Sequence, residues 1–216
     1  MTLLACFQLL LSRYAGQTDI AVGVPIANRT HVEAEALVGT LVNTLVMRCD
    51  LGGDPSFGDL LSRVQQTALD AYAHQDLPFE QLVEELRGPR DQNNSPLIRV
   101  LFNVLNTPAH HDALEGLSFE QFAFAHGSAQ FDLSLSIDTA LFGSVQLSYS
   151  TDLFTETSAQ RLLANYLGLL EQVLANGDLP ISRYALSSPR EQADLATWNA
   201  TQSGYEREVR ADGWLA

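Results

Sequence analysis

The chain has 216 residues, 46% of them hydrophobic, and a formal net charge of −14 from 26 acidic and 12 basic side chains. That length and apolar content supply the core of one large domain or two small ones. The charge argues against nucleic acid and anionic membranes as partners, since either would need a basic patch that so few Lys and Arg residues do not make.

In chain order, Leu3, Leu4, Phe7, Leu10, Leu11 and Tyr14 recur at helical spacing and Gly16 follows where a helix would close, which predicts a buried helix over 3 to 14. The apolar run from Leu3 to Leu11 is interrupted by Cys6 and Gln8 and reads as neither a signal peptide nor a membrane span. IAVGVPI (20 to 26) predicts a covered strand ending in a loop, ANRT, and GTLVNTLVMRCDL (39 to 51) a second, longer strand. Asp54 is placed as the N-cap of a helix with Pro55 at its first position. Phe57, Leu60, Leu61, Val64, Ala68 and Tyr72 hold one face of that helix to about Ala73. A shorter helix starts at Pro78 and carries Leu82, Val83 and Leu86.

Residues 88 to 96 are rich in Gly, Pro and Asn and predict a loop. Four strands are expected at 99 to 106, 117 to 125, 131 to 138 and 144 to 150, the first of them apolar enough to be buried. Thr155 caps a last long helix whose stripe runs from Leu162 to Leu174 and closes at Asn176-Gly177. Beyond Leu186 the pattern fades, so the chain is divided into 1 to 186 and a linker or tail at 187 to 216. Helices mixed with strands of buried and half-exposed type predict an α/β sandwich with a mixed sheet.

The order of these pieces resembles the C-terminal half of a condensation domain from a nonribosomal peptide synthetase. The stretches that carry the resemblance are YAGQTDIAVGVPIANRT (14 to 30), VGTLVNTLVMRCDL (38 to 51), AYAHQDLPFEQLVEEL (71 to 86), RDQNNSPLIRVLFNVLN (90 to 106) and FDLSLSI (131 to 137). WNAT (198 to 201) is similar to the bridge leading toward an adenylation domain, although the tail after it does not continue as one. The resemblance implies a chloramphenicol acetyltransferase-like lobe, half of a V-shaped pair with the active-site tunnel between the halves. It places the catalytic HHxxxDG motif in the N-terminal lobe, so this chain is expected to hold no catalytic residue and to look truncated at both ends. The complete domain joins a carrier-bound acyl or aminoacyl thioester to a carrier-bound amine. The implied partners are the N-terminal lobe, acyl or peptidyl carrier proteins and an adjacent adenylation domain, in the cytoplasm. Self-association is also expected. No cofactor is bound directly, because substrates arrive on the phosphopantetheine of the carriers, and no metal is needed.

Several residues carry alternatives. Arg29 is implied to brace the site by reaching across to the aspartate of HHxxxDG, and to face water where that lobe is absent; a solvated strand-end arginine is the plainer reading. Asn43 is either a satisfied amide within the sheet or a tunnel-lining group. Asp132 is a cap or turn residue, or an interlobe contact. HHDALEG (110 to 116) differs from HHxxxDG only by Glu115, yet its place after the RVLFNVLN strand makes it a variable surface loop, so His110 and His111 are not taken as catalytic. His74, Asp76 and Glu80 form a helix-turn-helix corner that adds to the core, and no metal cluster. Cys6 and Cys49 read as buried hydrophobes of a reducing compartment. No glycine-rich phosphate loop or GxSxG elbow occurs, which removes nucleotide binding and serine hydrolysis. A non-catalytic carrier-binding or assembly lobe is the alternative function, and an acyltransferase using His111 a second one.

Overall fold

The computed structural model describes residues 1 to 86, 97 to 105, 129 to 139 and 144 to 202, apart from the side chains of Pro189 and Arg190. The chain divides into two compact units, Met1–Leu186 and Ser187–Ala216.

The first unit lays one layer of helices on a mixed five-stranded sheet. Strands β1 (Asp19–Ile26), β2 (Asn43–Asp50), β3 (Val100–Leu105), β4 (Leu133–Asp138) and β5 (Ser144–Tyr149) are arranged in the order β2-β1-β3-β4-β5. The inner pairs β1·β3 and β3·β4 are parallel and the outer pairs antiparallel, so the expected mixed sheet is present. Parallel pairing places the ends of β1, β3 and β4 at one edge of the unit and their starts at the other.

Helix α1 (Thr2–Ala15) owes its central place to composition: Leu4, Ala5, Cys6, Phe7, Leu9 and Leu10 are all buried, more than one face of a surface helix would supply. Gly16 closes it at φ 63°, a left-handed backbone that glycine adopts without strain. Phe7 stacks on Phe102 of β3 at 5.7 Å between ring centroids and meets Tyr166 of α5 (Glu156–Ala175) edge-on at 6.0 Å, so one aromatic side chain ties α1 to sheet and helix. The third large helix, α3 (Phe57–Ala73), buries Phe57, Leu60, Val64 and Ala68. The sheet's side of this core comes from alternate residues such as Val22, Met47, Leu133 and Leu135.

Several sequence expectations shift. The helix α3 is capped by Ser56, whose hydroxyl accepts from the Asp59 amide at 3.1 Å. Asp54 instead turns the chain at φ 49°, and its carboxylate accepts from the amide and hydroxyl of Ser182 at 2.9 and 2.8 Å. Those two bonds draw its carboxyl below the usual range. Strand β2 starts at Asn43 rather than at residue 39, because the stretch before it is held as a loop. Only Phe102 of β3 is buried, and Val104 and Leu105 lie open at the strand's end. The short helix α4 (Phe79–Leu86) buries no side chain, so the 74 to 80 corner braces the core from outside rather than filling it. The segments at 88 to 96 and 117 to 125, and HHDALEG, lie outside the described residues. In the second unit, where a linker or tail is expected, Pro189–Asn199 forms a helix, α6, with a Ser188 and Glu191 capping box at its start.

Two outcomes follow from this packing. A Cβ on Gly23, in mid-β1, would meet Ile98 Cγ2 at 2.9 Å, Leu101 Cδ1 at 3.2 Å and Thr44 Cγ2 at 3.3 Å. Gly23→Ala is therefore expected to cost about 1 to 3 kcal/mol, read from the shift of the guanidinium unfolding midpoint at unchanged slope. Cys6 and Cys49 are both free and buried, and burial pushes the Cys6 thiol up to about 12. With almost no thiolate at pH 8, Cys6 should stay unlabelled by iodoacetamide in the native chain and react once it is unfolded, as peptide mapping will show.

Candidate active site

The polar residues singled out in the sequence are not gathered at one point. In register, Ile26 at the end of β1 lies opposite Asn43 at the start of β2, which brings the ANR turn and Asn43 to one edge of the sheet. Asp132 precedes β4, whose start lies toward the other edge: the register sets it level with Ala21, which is ~17 Å from Ile26 along β1 at ~3.3 Å per residue.

At the first edge, Asn28 takes a left-handed backbone at φ 51°, which turns the chain sharply out of β1. Arg29 then folds back over the segment that follows. Its guanidinium donates to the carbonyls of Ala34, Leu37 (3.0 Å) and Gly39 (3.2 Å), around and beyond the short helix α2 (Val32–Glu35). A planar cation suits a cluster of carbonyls that the peptide geometry leaves unpaired. Arg29 is therefore half-buried and bonded to the loop that follows it, a correction to the expectation that it faces water. Three of an arginine's five N–H donors are engaged.

Asn43 is buried and uses its whole amide. Nδ2 donates to the carbonyls of Gln75 (2.9 Å) and Leu77 (2.8 Å), and Oδ1 accepts from the amides of Thr44 (2.9 Å) and Phe79 (3.0 Å). One side chain thus pins the turn between α3 and α4 to the end of the sheet. The amide is satisfied by the turn between α3 and α4 rather than by a polar partner inside the sheet, and both of its N–H donors are engaged. His74, in the same corner, sets Nδ1 2.8 Å from the Asp70 carbonyl at the end of α3. Among the described residues no group of three or more His, Cys, Asp or Glu side chains could hold a metal ion.

At the opposite edge Asp132 pairs with Arg99 at 2.6 Å, and backbone bonds from the Asp132 amide to Arg99 and from the Ser150 amide to Asp132 lock the start of β4. The pair sits on the rim of a cleft of about 510 Å³ with a mostly apolar lining, including Tyr14, Ile20, Leu133 and Phe154. This cleft is far from Arg29 and Asn43. In open α/β sheets ligands gather outside the ends of the parallel strands rather than their starts, which favours the Arg29 edge as the site.

Comparison with known proteins supplies the family. The model of the condensation domain matches residues 1 to 196. The chain belongs to the condensation-domain family. It is 45% identical over 215 residues to a linear gramicidin synthase of Brevibacillus parabrevis, a match that takes 96% of this chain and 4% of that protein. Surfactin synthase subunit 1 of Bacillus subtilis strain 168 is 38% identical over 210 residues, again 96% of this chain and 6% of the other. Among solved structures, the complex of the X-domain and OxyB from teicoplanin biosynthesis superposes with a TM-score of 0.72 at 25% identity, over 87% of this chain and 42% of that one. The chain therefore spans a small part of its curated relatives and under half of this solved one. The mixed α/β sheet with one helix layer is the fold of this family. No helix among the described residues is long and apolar enough to cross a membrane.

Sequence reasoning picked out Arg29 and Asn43 from motifs. It missed Gln75, Leu77, Ala34 and Leu37, which take part through backbone carbonyls and so leave no residue-type signal.

Proposed function

We propose that this chain supplies one half of an amide-forming condensation unit of a nonribosomal peptide synthetase. The observation that carries the reading is the family match across residues 1 to 196. Its motif residues Arg29 and Asn43 also lie at one sheet edge, the edge where such a fold places ligands. In the reaction, the amine of a carrier-bound acceptor attacks the thioester carbonyl of a carrier-bound donor. The C–N bond forms, the C–S bond breaks, and the pantetheine thiol leaves with the proton that the amine gives up. The base that orients or deprotonates the amine is assigned to the histidine of HHxxxDG in the other half. Arg29 has two N–H donors left, the number one bidentate carboxylate accepts, which supports a brace to the aspartate of that motif. Asn43 acts at one remove, fixing the 75 to 79 turn beside the tunnel wall. Asp132 belongs to interlobe contact only if the other half reaches the far edge. Carrier proteins and an adenylation domain are the partners of this reading. Free buried thiols fit a reducing cytoplasm.

A second reading, an assembly lobe that recruits a protein without doing chemistry, is favoured by one observation: a match at 25% identity is an X-domain solved in complex with OxyB. The two separate in a reconstitution. The chain is combined with the N-terminal half of the condensation domain of the linear gramicidin synthase and two loaded carrier proteins, and the product is read by intact mass. Amide product supports the condensation unit; stable binding with no product supports the assembly lobe. Replacing His110 and His111 by Ala should leave product formation unchanged and shift stability by no more than about 0.5 kcal/mol, the outcome that follows from the sequence reading of HHDALEG as a variable loop.

A further inference from the structure

The condensation reading leaves the cleft at the start of β4 without a task. Its floor is core: Ile20 of β1, Leu133 of β4 and Leu162 of α5 are each no more than 6% exposed. Packing elsewhere fixes those three elements, so the 510 Å³ stand open before anything binds, within the size range and apolar character of small-molecule pockets. The charges at its rim are already paired. Arg48 holds Asp19 through two bonds of 2.9 and 2.7 Å, and Arg99 holds Asp132 at 2.6 Å. An ionic ligand would have to break one of these pairs, and an anion would also enter the field of a chain with a net charge of −14. The other polar side chains of the lining, Tyr14 and Gln17, are neutral. The Tyr14 hydroxyl accepts from Nδ2 of the buried Asn165 at 2.8 Å, and among the described residues nothing takes its own hydrogen. Tyr14 therefore offers one donor to an acceptor on a ligand.

We propose that this cleft binds a neutral, largely apolar small molecule bearing a carbonyl oxygen, with Tyr14 as the donor to that oxygen. A ketone, ester or amide meets the requirement, and a carboxylate does not, because no cation at the rim is free to receive it. A small molecule suits the cleft better than a peptide segment does. A peptide would bring a row of backbone donors and acceptors, and walls such as Leu11, Phe154 and Leu162 answer none of them. The site stands apart from the two-half reading, since every residue it uses belongs to the Met1–Leu186 unit.

The test titrates the full chain with prodan, a neutral naphthalene ketone whose emission moves to the blue in apolar surroundings. Saturable binding at a single site is expected. Leu153→Asp puts a carboxylate on the apolar lining and should weaken that binding about tenfold or more. Leu153 is 56% exposed, so the variant should keep the wild-type melting temperature. Leu174→Asp, on an exposed part of α5 outside the lining, should change nothing. Tyr14→Phe should weaken prodan about fivefold and leave unchanged the parent dimethylaminonaphthalene, which lacks the ketone. Because Tyr14→Phe also takes an acceptor from Asn165, Leu153→Asp carries the test if that variant melts early. No saturable binding, or equal loss in both Asp variants, overturns the site. Displacement of prodan by anilinonaphthalene sulfonate at equal affinity overturns the neutral class, and equal loss of both dyes in a folded Tyr14→Phe overturns the carbonyl contact.

Discussion

Asn43→Ala is expected to unfold the first unit at a denaturant concentration corresponding to a loss of about 3 kcal/mol or more. The substitution removes a buried amide and leaves three groups of the 75 to 79 turn, the carbonyls of Gln75 and Leu77 and the amide of Phe79, without their partner. Each such orphan costs about 1 to 3 kcal/mol when water cannot replace the bond, and partial hydration of this half-buried corner keeps the sum below the simple total. Asn43→Asp sharpens the test. A carboxylate there would face two carbonyls with no donor of its own, so its folded pKa would lie above the ordinary value of about 3.9. The penalty is fully present at neutral pH and shrinks as pH falls through that raised pKa, because the protonated acid can donate to one carbonyl. The variant should therefore gain stability relative to wild type as pH drops from 7 toward 4. Chemical denaturation at several pH values measures it. A flat difference would mean that the side chain is solvated and that the corner is not pinned.

The second large effect falls on Arg29. In the chain alone, Arg29→Ala is expected to cost about 1 to 2 kcal/mol, since three carbonyls of the loop that follows it lose their donor but remain within reach of water. In the reconstituted unit the loss is larger, because the aspartate assigned as its partner would be buried and unpaired. At about 3 kcal/mol, product formation should fall about 100-fold. Arg29→Lys should not rescue it: a single ammonium cannot serve three carbonyls and a carboxylate at once. The comparison needs the product rate in the assembled unit and thermal unfolding of the chain alone. Equal, small effects in both would remove Arg29 from the site and leave it as a clamp on its own loop.

The elements that were legible in the sequence were those whose signals are local. The α1 and α5 helices show apolar spacing and end at Gly16 and Asn176, and both ends stand where those residues put them. Where two local signals competed, the reading slipped. Asp54-Pro55 and Ser56 are all acceptable helix starts, and the choice fell to Ser56 because Asp54 is drawn into tertiary bonds with Ser182, 128 positions away. The α6 helix has no apolar stripe, so periodicity missed it, although Ser188-Pro189 and Glu191 spell a capping box. The candidate site divides the same way. Motif residues announce themselves by type, but their roles depend on strand direction and on carbonyl acceptors. Nothing in the segment around Asp132 says that β4 starts at the edge opposite Arg29, and nothing in Ala34, Leu37 or Gln75 marks them as partners.

The most direct test of the central claim, that this chain is one half of the site and its base lies in the other, is a matched pair of histidine variants in the reconstituted unit. The second histidine of HHxxxDG in the N-terminal half is replaced by Ala in one, and His111 of this chain in the other, with amide product read by mass spectrometry. The account predicts that the first abolishes product, that His111→Ala keeps it, and that this chain alone with loaded carriers makes none. Product from the chain alone, lost on His111→Ala, would contradict it.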